Sequence, residues 1–156
     1  MGDARLADLF PGYRSGDRLA YMRDFAAGFG IGAMASPERL PNTRHILAMA
    51  EYARDMGKLD AFRTLGMKAR WENGSDLEDE TVLGNLAAGS GLDRQKALKT
   101  SESAEYLARI DSARHEAERM GINGIPTFII GKSRIVGCQT YETLADAVVK
   151  AGGSRR

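Results

Sequence analysis

A single cysteine, two histidines and a proline set inside an apolar run are the residues of this 156-residue chain whose chemistry must be weighed first. Cys138 stands alone, which excludes an intramolecular disulfide and any Cys-x-x-Cys motif within these residues. It is a redox candidate only as a sensing or intermolecular thiol. The blander reading is a small, half-buried residue at a strand end. The nearest preceding cation is Arg134, four residues before it, and no Lys, Arg or His follows within four. His45 and His115 lie seventy residues apart and belong to no HxxxH or HExxH spacing, so neither a metal site nor a cofactor is expected. Asp76, Glu78, Asp79 and Glu80 read as carboxylates at a helix start, where the positive end of the dipole favours them. Gly28, Gly30 and Gly32 follow no strand and make no dinucleotide fingerprint. Tyr52 and Trp71 read as core or interface aromatics, and no Ser–His–Asp arrangement has support.

The proline raises the sharper question. Residues 121–131 read GINGIPTFIIG, with Pro126 directly before Thr127-Phe128-Ile129-Ile130. Proline has no N–H for a sheet ladder. Either the segment is an edge strand, or the proline serves for its unusual peptide bond. The strand itself carries apolar residues on both faces, the pattern of one buried between layers.

The elements that must position this stretch are mostly helices. Asp17 opens a first helix to about residue 28, with Leu19, Met22, Phe25 and Ala26 at helical spacing. Residues 28–41 are loop-like. Asn42 or Thr43 caps a helix with Ile46, Leu47, Met49, Ala50, Ala53 and Met56 as its stripe, stopped by Gly57. Further helices are predicted at 59–71, from Ser75 or Asp76 through Ala87, from Asp93, and from about 101 to 120. Strands at 127–130 and 134–136, separated by 131–133, form a β-hairpin, and Thr140 caps a last helix over 141–151. The predicted organisation is an N-terminal extension at 1–16, a helical region at 17–120, a ββα segment at 121–151 and a tail at 152–156.

Composition bounds the function classes. Hydrophobic residues make up 43% of the chain, enough for a core. The net charge of +1 is interspersed, with no basic stripe for nucleic acid. No run of 18 apolar residues marks a membrane span. The N-terminus lacks the apolar core of a signal peptide, so the cytoplasm is the expected compartment.

Gly121-Ile122-Asn123-Gly124-Ile125-Pro126-Thr127-Phe128-Ile129-Ile130, followed by Gly131 and by Val136-Gly137-Cys138-Gln139, resembles the C-terminal half of DsbA-like thioredoxin-fold proteins. The similarity is to the branch of FrnE and 2-hydroxychromene-2-carboxylate isomerase. Leu40-Pro41-Asn42-Thr43 with its following helix, and the pair leading into Gly89-Ser90-Gly91-Leu92-Asp93, are similar to that branch's helical insertion. The resemblance implies a predominantly helical α/β fold, with the insertion followed by a thioredoxin-like β-hairpin and helix. It implies a cis bond before Pro126, and a backbone at Ile125 turned outward to pair with an extended peptide. Ile125 and Pro126 are thus the expected substrate-binding residues, with no catalytic residue in the chain.

The family's first half is a strand, a CxxC or serine variant, a helix and a second strand. Sixteen residues before the first insertion helix leave no room for it, so the N-terminal βαβ part reads as truncated. The expected function is a DsbA-like thiol–disulfide oxidoreductase family protein with little or no redox catalysis in this chain. A non-catalytic peptide-binding or self-associating module, and a fragment of a glutathione-linked isomerase, are the alternatives. Expected partners are a second copy of the chain and an extended peptide or thiol substrate. An open strand edge with apolar faces invites pairing with another chain. Light scattering at micromolar concentration should therefore return a dimer mass; a folded monomer would contradict it.

Overall fold

Asp79, Asp93 and Thr140 each place a side-chain oxygen over the first turn of a helix, and these caps set where the chain begins to wind. In the computed structural model, which describes residues 15–28, 30–32, 34–35 and 41–155, the chain is predominantly helical with a small two-stranded sheet. The helices are α1 (Ser15–Ala27), α2 (Arg44–Asp55), α3 (Leu59–Trp71), α4 (Glu80–Gly89), α5 (Arg94–Ser101), α6 (Ala104–Arg119) and α7 (Tyr141–Lys150). The strands are β1 (Thr127–Ile130) and β2 (Ser133–Val136). None of the described helices is long and apolar enough to cross a membrane. Residues 1–14 of the expected N-terminal extension lie outside the described residues.

Three helix starts differ from the sequence expectation. Asp17 does not open α1, because Ser15 is already helical and Asp17 lies within its first turn. Asp76 does not open α4. It accepts from the Glu78 N–H at 2.9 Å in a turn that sends Leu77 into the core. Asp79, with extended ψ of 120°, takes the N–H groups of Thr81 at 2.6 Å and Val82 at 3.1 Å, so the helix nucleates at Glu80. The long helix starts at Ala104, not near 101. Ser101 still belongs to α5, its hydroxyl donating to the Leu98 carbonyl at 2.7 Å. Asp93 caps α5 through the Lys96 N–H at 2.8 Å, and Asn42 rather than Thr43 meets the Arg44 N–H, at 3.1 Å.

The chain divides into two units, Met1–Asp111 and Ser112–Arg156. In the first, α2 packs on α3 and α5, and α4 on α3 and α5. Its core is Met49, Ala53, Phe62, Ala69, Leu77, Leu83, Leu86, Ala87, Leu92 and Ala97. The alanines among these let the helices approach closely. Gly84 lets the Arg94 side chain cross α4: a Cβ there would sit 2.5 Å from the Arg94 Nε. Leu47 and Met56, predicted inward, are about half exposed. Leu47 lies roughly 200° around the helix from Met49, since each residue turns about 100°.

In the second unit α6 ends at Gly121 with φ of 65°. Its N–H reaches the Glu118 carbonyl and that of Ile122 the Ala117 carbonyl, each at 2.9 Å, a closure that requires the left-handed backbone glycine permits. β1 and β2 are antiparallel, with Thr127 opposite Val136, Phe128 opposite Ile135, Ile129 opposite Arg134 and Ile130 opposite Ser133. The turn is therefore two residues, Gly131-Lys132, shorter than predicted. Gly131 at φ 58° fits a hairpin turn with glycine first, and a Cβ there would come within 3.0 Å of Ala151. Among the described residues of this unit only Ala147 is a buried hydrophobic.

Phe62, 1% exposed, anchors the helical core. Phe62→Ala should lower unfolding free energy by about 3–5 kcal/mol in urea titration, whereas Met67→Ala, at a half-exposed position, should stay within about 0.5 kcal/mol.

Candidate functional site

The site grows from the loop between the α6 glycine and β1. The Thr127 hydroxyl donates to the Gly124 carbonyl at 2.6 Å, tying the loop to the strand start. The Gly137 N–H donates to the Pro126 carbonyl at 2.8 Å, tying it to the end of β2. Gly124 lies so close to Val136 that a Cβ would stand 3.1 Å from its Cγ1. Within this bracing Ile125 projects outward, 90% exposed, and neither its N–H nor its C=O is hydrogen-bonded among the described residues. Pro126 is exposed beside it, and the Ile125–Pro126 peptide bond is cis.

The hydrogen-bond phase of the hairpin extends this surface. The Gly137 bond to Pro126 makes that pair the bonded type, and antiparallel pairs alternate. Phe128 and Ile130 therefore bond to β2, while Thr127 and Ile129 turn their N–H and C=O to the other edge of β1. No strand lies on that edge among the described residues. One face of the hairpin carries Phe128, Ile130 and Ile135, all half-buried. The opposite face carries Ile129 and Val136, 48% and 49% exposed. Arg134, on that same face, reaches back to the end of α6. Its guanidinium donates to the Met120 carbonyl and, at 3.2 Å, to that of Gly121, where the helix dipole favours a cation.

Cys138 follows β2 in an exposed loop, not half-buried as the bland reading had it. The structure places it beyond the Gly137 that ties to Pro126, on the same loop cluster as Ile125. His45 and His115 are each exposed, and no group of three or more metal-type ligands occurs among the described residues.

A family model for the DSBA-like thioredoxin domain matches residues 14–149. The chain belongs to that family. No curated protein matches it. Among solved structures it is similar to a probable DsbA oxidoreductase from Streptomyces coelicolor, at 23% identity and a TM-score of 0.76. That alignment covers 88% of this chain and 60% of the other, so the chain spans about three-fifths of the length of that relative. The likeness is one of fold.

The DsbA-like helical unit holds a second cluster, which sequence reading missed. The Asp55 carboxylate accepts from the Tyr106 hydroxyl at 3.0 Å and from Arg109 Nη1 at 2.9 and 3.0 Å. Arg109 Nη2 reaches Glu105 at 2.8 Å, and its guanidinium lies 4.7 Å over the Tyr106 ring. Tyr52 meets that ring edge-on at 6.0 Å. The Glu105–Arg109 spacing of i,i+4 is a signal a reader could have used. Asp55, fifty residues upstream, left none.

Arg109, and then the Tyr106 hydroxyl, hold the Asp55 carboxyl below its ordinary value, while burial and then Asp55 push the Tyr106 phenol up. A depressed carboxylate adds stability that is complete above the ordinary carboxylate range. That stability is lost as pH falls through the depressed folded value. Asp55→Asn should therefore lower the thermal midpoint at about pH 6, with the gap to wild type closing toward about pH 2. A gap that stays constant across that range would contradict the assignment.

Proposed function

We propose that these residues form the polypeptide-holding part of a DsbA-like thiol–disulfide oxidoreductase, with Ile125 and Pro126 at the substrate contact. The observation that carries the reading is the exposed, unbonded backbone of Ile125, continuous with the free edge of β1. An extended peptide laid along that edge would find N–H and C=O groups at Ile125, Thr127 and Ile129, and apolar contact at Ile129 and Val136. That is strand addition, in which main-chain bonds supply affinity and side chains supply preference. Such binding tolerates many sequences, as a disulfide-handling protein requires.

Exchange chemistry is a separate matter. A dithiol–disulfide cycle needs two thiols, the attacking one as thiolate. These 156 residues hold one, Cys138, so little or no exchange is assigned to them alone. Within the family we place the chain nearest FrnE and 2-hydroxychromene-2-carboxylate isomerase, on the Pro41-Asn42-Thr43 lead into α2 and the Gly89–Asp93 link between α4 and α5. The cytoplasm suits a chain with one exposed thiol.

The same edge supports a second reading, self-association. β1 carries no charged residue to guard its edge, and the Ile129–Val136 face is open. Two copies joined through β1 would compete with peptide for the same groups.

Titration calorimetry with a cysteine-free unfolded peptide should give binding, and N-methylation of alternate peptide amides should weaken it about tenfold or more. Equal affinity for the methylated peptide would overturn strand addition. In an insulin-reduction assay the chain should show negligible turnover, unchanged in Cys138→Ser. Turnover comparable to that of a CxxC protein would overturn the second assignment.

A further inference from the structure

Residues 104–111, the first half of α6, are attached to the helical core in an unusual way. No residue of α6 is fully buried, and Leu107 and Ile110 are only half-buried. Long polar side chains hold it instead, at the two ends of α2. At the N-terminal end Arg44 grips Asp111 with both nitrogens, Nη1 to Oδ1 at 2.5 Å and Nη2 to Oδ2 at 2.7 Å. At the C-terminal end Asp55 takes the Tyr106 hydroxyl and Arg109, which in turn holds Glu105 and covers the Tyr106 ring.

Neither grip is deep. The side chains of Arg44 and Asp111 are 40% and 44% exposed, and those of Arg109 and Asp55 are 38% and 34% exposed. Isolated pairs at such exposure contribute little. Forked arginine–carboxylate geometry and a network of several charges are the conditions under which they contribute more. Two grips, one at each end of α2, also fix both the height and the roll of residues 104–111. The rest of the unit is different in kind: Met49, Ala53 and Phe62 lie in a dry apolar core that salt does not screen.

We propose that these two ion-pair clusters are a latch: they let residues 104–111 open from α2 as a local unit while the core of α2 to α5 stays folded. Screening by salt, or a polyion competing for Arg44 and Arg109, releases it. Local opening at the low-stability end of a structure is how mobile elements are drawn. Here the mobile element is residues 104–111, the part of α6 that lies in the first unit.

Hydrogen exchange on the whole chain, read by mass spectrometry, tests this. Raising sodium chloride from about 0.02 to about 1 M should speed exchange of amides 107–111, the first that are hydrogen-bonded in α6, by about 5–30-fold. Amides in α3 and α4 should not change. Asp55→Asn and Asp111→Asn should each give part of that effect at low salt, and should weaken its salt dependence. The exchanged pair Arg44→Asp with Asp111→Arg should restore protection lost in Asp111→Asn. Unchanged exchange at 107–111 in high salt would overturn the proposal. So would equal acceleration in α3 and α4, which would make the clusters part of one cooperative unit. The salt arm needs no substitution and so does not depend on a variant folding.

Discussion

Thr127–Ile130 is bonded along one edge and open along the other among the described residues, and most of what is distinctive in this chain follows from that asymmetry. A two-stranded hairpin is marginal in water, because half its backbone groups and at least one apolar face stay exposed. This one is steadied from its ends. Gly137 bonds to Pro126, the Thr127 hydroxyl to Gly124, and Arg134 to the last carbonyls of α6. Those three ties order the loop around Ile125 without occupying the free edge of β1. The result is a backbone surface that is held in place and still has bonds to offer.

The two units solve the problem of burial differently. Up to Asp111 the chain buries Met49, Phe62, Leu83 and Leu86 among alanines, a dry core that fixes α2 to α5. From Ser112 onward Ala147 is the buried hydrophobic among the described residues, and Ile129, Val136 and Val149 remain about half exposed. Apolar surface returns roughly 25 cal/mol per Å² when covered. Covering these side chains would be favourable, and that is the contribution the proposed peptide or second copy would make.

Local chemistry was readable from the sequence and distant pairing was not. Asp93, Thr140, Gly57 and Gly121 announced helix ends because capping depends on neighbours a few residues away. The hairpin was readable for the same reason, since Gly131 lies between two short apolar runs that are neighbours in sequence. Asp76 misled because it too is a good cap; Asp79 won because it meets two N–H groups and frees Leu77 for the core. Leu47 and Met56 misled because hydrophobicity marks a candidate for burial, and the helix turn decides which side has a neighbour. At the candidate site, Ile125 and Pro126 were named from a resemblance to DsbA-like proteins. The phase that aims Thr127 and Ile129 at the open edge needed the Gly137–Pro126 bond. The Asp55–Tyr106–Arg109 cluster joins residues about fifty apart, and no local pattern encodes it.

The central claim is that alternate backbone groups of β1 stand free for an incoming strand. Residue-resolved amide exchange by NMR reads those groups one at a time. In the free protein, the account predicts protected amides at Phe128 and Ile130, which face β2, and fast exchange at Ile125, Thr127 and Ile129. Saturating unfolded peptide should slow Ile125, Thr127 and Ile129 and leave Phe128 and Ile130 nearly unchanged. Protection of Thr127 and Ile129 equal to that of their neighbours in a dilute, peptide-free sample would contradict the account, and so would their failure to slow when peptide is bound.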